Sequence, residues 1–180
     1  MHTLPKILHH GAKNGVTGSC HQLIIDDKNS LLIDCGLFQG AETSAEGQAS
    51  SDQLSIEFDI STVKALIVTH VHIDHVGRIP YLLAAGFTGP IICSEPSAKL
   101  LPIVLEDAFK LGVSRDQHLV EQYIKLIASR IIALPYNRWL PMLKTPQVSI
   151  RLQRAGHILG SPYVELDVPT PASDRKQRVI

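Results

Sequence analysis

An apolar run that ends in a cluster of histidines constrains this chain more than any other feature. Residues 63–69 (VKALIVT) are almost continuously apolar, which is typical of a β-strand buried on both faces. Residues 70–75 (HVHIDH) follow this run directly. A strand buried on both faces belongs to the interior of a sheet that is covered on both sides. The sequence therefore predicts a layered fold with polar side chains at the carboxyl end of a central strand.

The side chains in this cluster are those that bind metal ions. Imidazole and carboxylate groups are the usual protein ligands of zinc and similar divalent ions. His70 and His72 alternate as on a strand, so both rings can point the same way, whereas Asp74 and His75 lie beyond the strand end and can reach a second ion. A solvated polar loop is the alternative, but four such groups directly after a buried strand argue against it. We therefore expect a metal centre here.

Two further residues are candidates for the same site. His157 lies between small residues in the segment 154–161 (RAGHILGS), which allows the backbone to approach a site closely. A single histidine is more often structural, but this metal site needs a third nitrogen ligand. Asp34 ends an apolar strand, where a carboxylate needs a partner. It could be a metal ligand, an acceptor that orients a histidine, or a cap of a turn.

The patterns in the rest of the chain predict a mixture of strands and helices, and therefore an α/β (α+β) fold. Turn residues between two β-rich runs indicate a hairpin over residues 21–34. Ser114 and Gln117 fit a capping box at the start of an amphipathic helix that ends before Pro135. Polar residues 40–55 predict an exposed loop. Further helices are expected over 76–85 and 96–111, and further strands over 6–10, 90–94, 147–153, 163–168 and 178–180.

Composition excludes several classes of protein. The chain is 44% hydrophobic and 19% charged with no net charge, which excludes global disorder. No apolar run approaches the roughly 18 residues of a membrane span, and the first residues do not resemble a signal peptide. Three widely spaced cysteines predict no disulfide framework, so we expect a cytoplasmic protein. Residues 110–154 carry eight basic and two acidic side chains, which fits either a solvated face or a phosphate-binding surface.

The motifs together resemble the metallo-β-lactamase superfamily, and more narrowly its β-CASP branch, which contains the nuclease subunit of the polyadenylation machinery and its bacterial and archaeal relatives. The resemblance extends over nearly the whole chain. The Phe38-Gln39-Gly40 and Gly77-Arg78-Ile79-Pro80 extensions separate it from glyoxalase-like and lactamase-like members. The matching stretches are residues 10–12 (HGA), 16–20 (VTGSC), 34–40 (DCGLFQG), 69–80 (THVHIDHVGRIP) and 155–161 (AGHILGS).

The resemblance implies a fold, a cofactor and a reaction. The fold would be part of an αββα sandwich, a mixed β-sheet with helices on its outer face. His70, His72 and His157 would bind one zinc ion, and Asp74 and His75 a second one. Asp34 would support the site from below, and Asp74 and Asp34 would be its catalytic carboxylates. The reaction would be metal-dependent hydrolysis of RNA phosphodiesters, as endonuclease or as mRNA 3′-end-processing-like exonuclease, through attack of an activated water on phosphorus.

The chain also departs from the family pattern. The family's bridging aspartate in a Ser-Gly-Asp sequence, its β-CASP cap domain and its last histidine ligand are not found in these 180 residues. We therefore expect residues 1–180 to be the N-terminal part of a metallo-β-lactamase domain. The chain alone should hold one zinc ion or none and be inactive on RNA, and it should self-associate through an uncovered sheet.

Two alternatives to an RNA nuclease remain at this point. The first is a small-molecule metallohydrolase that acts on thioesters or lactones, which an apolar pocket beside the metals would favour. The second is a non-catalytic module that binds a metal or a partner.

Overall fold

The computed structural model describes residues 5–13, 15–39, 54–170 and 173–180, without side chains for 173–175. Most of the loop expected over residues 40–55 therefore lies outside the described residues. The described part contains two β-sheets, and four helical segments accompany the first of them.

The first sheet has six strands in the same order as the sequence. The hairpin expected from the turn residues forms its second and third strands, which pair antiparallel. From the third strand onward the neighbours are parallel, so their carboxyl ends meet at one edge of the sheet. The strands are β1 (Lys6–Gly11), β2 (Cys20–Asp26), β3 (Asn29–Ile33), β4 (Val63–Ile67), β5 (Ile91–Ser94) and β6 (Ile131–Leu134).

The second sheet has four strands, is antiparallel throughout, and places strands that are consecutive in sequence next to one another. Polar side chains on its outer face pair with one another. Arg151 binds Glu165 and Arg178 binds Asp167, and both guanidinium groups contact the ring of Trp139. The charged side chains on this face are therefore paired with one another. The strands are β7 (Leu140–Leu143), β8 (Val148–Arg154), β9 (Pro162–Thr170) and β10 (Ser173–Val179).

The helical segments are α1 (Ile73–Val76), α2 (Ile79–Ala84), α3 (Glu95–Gly112) and α4 (Gln117–Arg130). The helix expected over 76–85 is divided in two, since the turn at residues 77–78 separates α1 from α2. The cap of α4 was placed wrongly: Asp116, not Ser114, is the N-cap, and its carboxylate accepts a bond from the Leu119 amide at 3.0 Å. No described helix has the length and apolar character to cross a membrane.

The helix expected to end before Pro135 stops earlier, at Arg130. The next four residues form β6, which pairs in parallel with β5. Ile131 and Ile132 are β-branched and extend easily, and this pairing adds the outermost strand of the first sheet.

Two apolar cores hold three layers together. One lies between the first sheet and the helices, and the other lies between the two sheets. Strand β4 contributes side chains to both cores. Leu66 packs on the helix side, whereas Ala65 and Ile67 pack between the sheets. The expected strand buried on both faces and the mixed sheet with helices on one outer face are confirmed.

The core between the sheets should be essential to stability. Ile150 on β8 is 1% exposed and packs there. We expect Ile150→Ala to lower the free energy of unfolding by about 2–5 kcal/mol, because it leaves a cavity between two sheets. Urea unfolding followed by circular dichroism measures this. Leu111→Ala is the control, since Leu111 is 73% exposed and its loss should cost less than about 0.5 kcal/mol. Equal effects of the two substitutions would contradict the packing described.

Candidate metal centre

The histidine cluster lies where the carboxyl ends of the parallel strands meet. His70 and His72 stand in the loop between β4 and α1, and Asp74 and His75 lie within α1. Asp34 directly follows β3, the neighbour of β4. His157 comes from the other sheet, in the connection between β8 and β9. Both sheets therefore contribute side chains to one place.

Three imidazoles converge on a common point. His70 Nε2 lies 3.2 Å from His72 Nδ1, and His157 Nε2 lies 3.3 Å from that same His72 atom. One nitrogen from each ring lies within 4.8 Å of the other two. Two nitrogens bound at about 2.0–2.1 Å to a tetrahedral zinc ion lie roughly 3.3 Å apart. The spacing of the rings therefore fits a shared ion.

The protonation of His70 suits a ligand. Burial, and then the nearby His75 ring, lower the pKa of His70 from 6.5 to about 4, so the ring is neutral at pH 7. Its Nδ1 lies 3.1 Å from the Thr69 hydroxyl, which donates to Asp34 at 2.7 Å. A hydroxyl that donates to a carboxylate is left to accept, so Nδ1 carries the proton. The lone pair on Nε2 then points to the other two histidines.

Asp34 is the acceptor around which this edge of the sheet is arranged. Asp34 is 2% exposed, and its backbone has φ of 58°, an uncommon conformation for a residue with a Cβ. Its carboxylate accepts bonds from the Thr69 amide, the Thr69 hydroxyl and the Ser19 hydroxyl, at 2.8, 2.7 and 3.3 Å, and from His75 Nδ1 at 2.7 Å. The contact with His75 has the geometry of one of the three roles left open for Asp34, an acceptor that orients a histidine.

His75 and Asp74 form a second group beside the three imidazoles. Because His75 Nδ1 donates to Asp34, its Nε2 is left facing Asp74 Oδ2 at 3.7 Å. Burial lowers the pKa of His75, but the bond to Asp34 and the charges of Asp34 and Asp74 outweigh it and raise the pKa above 6.5. An imidazole nitrogen and a carboxylate oxygen thus face one another next to the three-histidine cluster.

The segment after Asp34 supports the histidine loop through its backbone. The Cys35 amide donates to the His75 carbonyl at 2.8 Å, and the Arg78 amide donates to the Cys35 carbonyl at 2.9 Å. Gly36 packs so closely that a Cβ in its place would overlap the Asp74 carbonyl. A glycine is therefore required under the loop that carries Asp74 and His75.

Serines that the sequence did not single out hold the His157 loop. The hydroxyls of Ser94 and Ser97, both fully buried at the start of α3, donate to the Gly160 carbonyl at 2.6 and 3.0 Å. Within the loop, the Ser161 hydroxyl accepts from the His157 amide at 3.2 Å. Ser94 had a local signal as the N-cap of a helix, but its bond to a residue 66 positions away had none.

A cavity of about 360 Å³ lies behind the site, between the two sheets. Its lining is mostly apolar, and Thr69 is part of it, but none of the three converging histidines and neither Asp74 nor His75 is. On the side facing solvent, His72 and His157 are exposed. The apolar space is thus separated from the metal-binding nitrogens, which open to solvent.

The two pKa shifts predict opposite titrations in the metal-free protein. His70 should titrate near pH 4 and His75 above pH 6.5, as measured by NMR of the ring protons. Because an unfolded chain protonates His70 first, its contribution to stability is present above about pH 6.5 and is lost as the pH falls toward about 4. The contribution of His75 is present below about pH 6.5 and is lost as the pH rises through its raised pKa.

The same titration of the Thr69→Val variant serves as the comparison. This substitution keeps the shape of the side chain but removes the hydroxyl that lies next to the rings of His70 and His75. Coincident titration of His70 and His75 near pH 6.5 in the unmodified protein would contradict the arrangement.

Comparison with known proteins agrees with this geometry. The model of the metallo-beta-lactamase superfamily matches residues 16–170. Ribonuclease TTHA0252 of Thermus thermophilus is 34% identical over 159 residues, which cover 88% of this chain and 34% of that protein. Transcription termination factor FttA of Cenarchaeum symbiosum is 32% identical over 149 residues, 82% of this chain and 22% of that protein. Cleavage and polyadenylation specificity factor subunit 3-II of Arabidopsis thaliana is 30% identical over 159 residues, 86% of this chain and 25% of that protein.

Solved structures show the same fold at low identity. A B3 metallo-β-lactamase with an active-site glutamic acid superposes with a TM-score of 0.54 at 18% identity, over 98% of this chain and 61% of that chain. BJP-1, a subclass B3 metallo-β-lactamase of Bradyrhizobium japonicum, superposes with a TM-score of 0.51 at 14% identity, over 97% of this chain and 58% of that chain.

The chain spans between about a fifth and a third of the length of the three curated relatives. The family model nevertheless covers most of its residues, including the histidine cluster and His157. The resemblance to the superfamily seen in the motifs is confirmed: the chain belongs to the metallo-β-lactamase superfamily, a family of hydrolases, and its curated relatives include a ribonuclease, a transcription termination factor and a cleavage and polyadenylation specificity factor subunit.

Proposed function

We propose that this chain is the metal-binding part of a hydrolase that cleaves RNA phosphodiester bonds. The observation that carries the proposal is the convergence of His70, His72 and His157, with nitrogen spacings that suit one ion. The relatives named for ribonuclease activity and for cleavage and polyadenylation support RNA as the substrate. The solvent-facing position of His72 and His157 also suits a polymer better than an enclosed small molecule.

Zinc is the ion that this donor set fits best. Three imidazole nitrogens leave a fourth position of a tetrahedral ion for water, as in mononuclear zinc hydrolases. His70, His72 and His157 would hold such an ion, which would supply an activated water and neutralise charge on the phosphoryl oxygens. Thr69 and Asp34 keep the proton on His70 Nδ1, so that Nε2 remains a ligand.

We assign Asp74 and His75 to a second ion. Their facing atoms, the Asp74 carboxylate and His75 Nε2, suit a divalent ion next to the first one. Among the described residues, Asp74 and His75 are the ligands available to this second ion. A two-metal hydrolase keeps its ions about 3.5–4 Å apart, which two ligands alone cannot fix. We therefore infer that the 180-residue chain by itself holds one ion well and cleaves RNA poorly.

The isolated chain should thus bind zinc but cleave RNA only weakly. Calorimetry should give one tightly bound zinc ion, and His157→Ala should weaken it at least tenfold, because it removes a ligand. Incubation of labelled RNA with the chain and excess zinc or manganese should give little cleavage above the His72→Ala variant.

His118→Ala is the matched control for zinc, since His118 is an exposed histidine on α4 that bonds to Gln122. It should leave zinc binding unchanged. Zinc binding that survives both His157→Ala and His72→Ala would refute the assigned site. Strong RNA cleavage that vanishes in His72→Ala would show that the chain alone is competent.

We also infer that the chain self-associates, through the outer edge of β1. Ile7 and Leu8 on this strand are both 45% exposed, and among the described strands β1 pairs with β2 alone. An unpaired strand edge with exposed apolar side chains readily pairs with another chain. Sedimentation velocity should show a dimer that dissociates in the double variant Ile7→Lys, Leu8→Lys. A monomer at high concentration would contradict this inference.

A further inference from the structure

A second pair of histidines lies outside the metal centre. His9 on β1 and His21 on β2 are direct partners in the antiparallel register. Their Nδ1 atoms are 2.9 Å apart, and their rings meet edge to face with centroids 4.9 Å apart. Neither residue belongs to the three-histidine cluster or lies next to one of its members in sequence.

We propose that His9 and His21 chelate a divalent transition-metal ion, Cu²⁺ or Ni²⁺. Imidazole nitrogens suit both ions, which bind such sites more tightly than the earlier first-row divalent ions do. Two nitrogens bound at about 2.0–2.1 Å and at a right angle lie roughly 2.9 Å apart, a spacing that the two Nδ1 atoms already have. In the metal-free chain this contact is a hydrogen bond, so one Nδ1 carries a proton that ion binding would release.

The surroundings of His21 are compatible with metal binding through its Nδ1. An imidazole that binds a metal through one nitrogen usually donates its other N–H to a nearby acceptor. His21 Nε2 lies 3.4 Å from the Ser19 hydroxyl, which donates to the buried Asp34 at 3.3 Å. An ion on Nδ1 fixes the His21 proton on Nε2, where the Ser19 oxygen accepts it. The pair therefore has a defined tautomer available for chelation.

The strand pairing holds the two rings in place before an ion arrives. The ladder between β1 and β2 is regular from Lys6 to His9, and its irregularity begins only after His9. His9 is exposed, so water can fill the remaining coordination positions. Chelation by two residues on adjacent strands loses little conformational freedom, since the backbones are already fixed.

Copper binding to the full 180-residue chain tests the proposal. In the His72→Ala variant, which weakens the three-histidine site, calorimetry should detect one Cu²⁺ per chain. Adding His9→Gln should weaken that binding at least tenfold. The electron paramagnetic resonance spectrum of the bound Cu²⁺ should show coupling to two imidazole nitrogens in the His72→Ala chain, and this signal should disappear with His9→Gln.

His118→Gln in the same His72→Ala background is the matched control, because it removes an exposed histidine that belongs to neither site. It should leave the Cu²⁺ equivalent and its spectrum unchanged. In otherwise unmodified protein, His9→Gln should retain the zinc equivalent of the first site, which shows that the variant is folded. Absence of a stoichiometric Cu²⁺ in His72→Ala, or Cu²⁺ binding that His9→Gln leaves intact, would overturn the proposal.

Discussion

The buried carboxylate of Asp34 organises the functional edge of this protein. A charge taken out of water is costly unless hydrogen bonds replace its hydration, and four donors around Asp34 do so. Those donors come from the segment before β2, the end of β4 and the first turn of α1. The same contacts hold Asp34 at a positive φ that a side chain seldom adopts. One acidic group therefore sets the relative positions of three chain segments, and the histidines follow from them.

The supporting and the exposed parts of the site have separate tasks. Asp34, Ser94 and Ser97 are buried and fix the backbone that carries the imidazoles. His72 and His157 face solvent, where a substrate can reach them. The supporting half of the site thus lies against the apolar cores, and the half that carries two of the three imidazoles lies at the surface.

The sequence was sufficient for the features that depend on neighbours along the chain. Strand β4 was predictable because its apolar run is continuous, and the histidine segment because its ligand types stand at alternating positions. The N-cap of α4 was misplaced because Ser114, Asp116 and Gln117 offer two overlapping capping patterns, and the Asp116 carboxylate is the one that reaches a helix amide. Strand β6 was missed because it forms only by pairing with β5. The serines that hold Gly160 gave no signal because their bonds join distant segments.

The position of His157 on the far sheet has a consequence for folding. His72 and His157 are 85 residues apart in sequence, and each lies in a loop that follows a strand of a different sheet. In the proposed site, an ion shared by their rings would act as a cross-link that closes a long loop and joins the two sheets at their rim. Because such an ion would bind the folded chain and not the open one, free metal would add to stability in proportion to the logarithm of its concentration. The proposed site would thereby tie the resistance of this fold to unfolding to the metal supply of the surrounding solution.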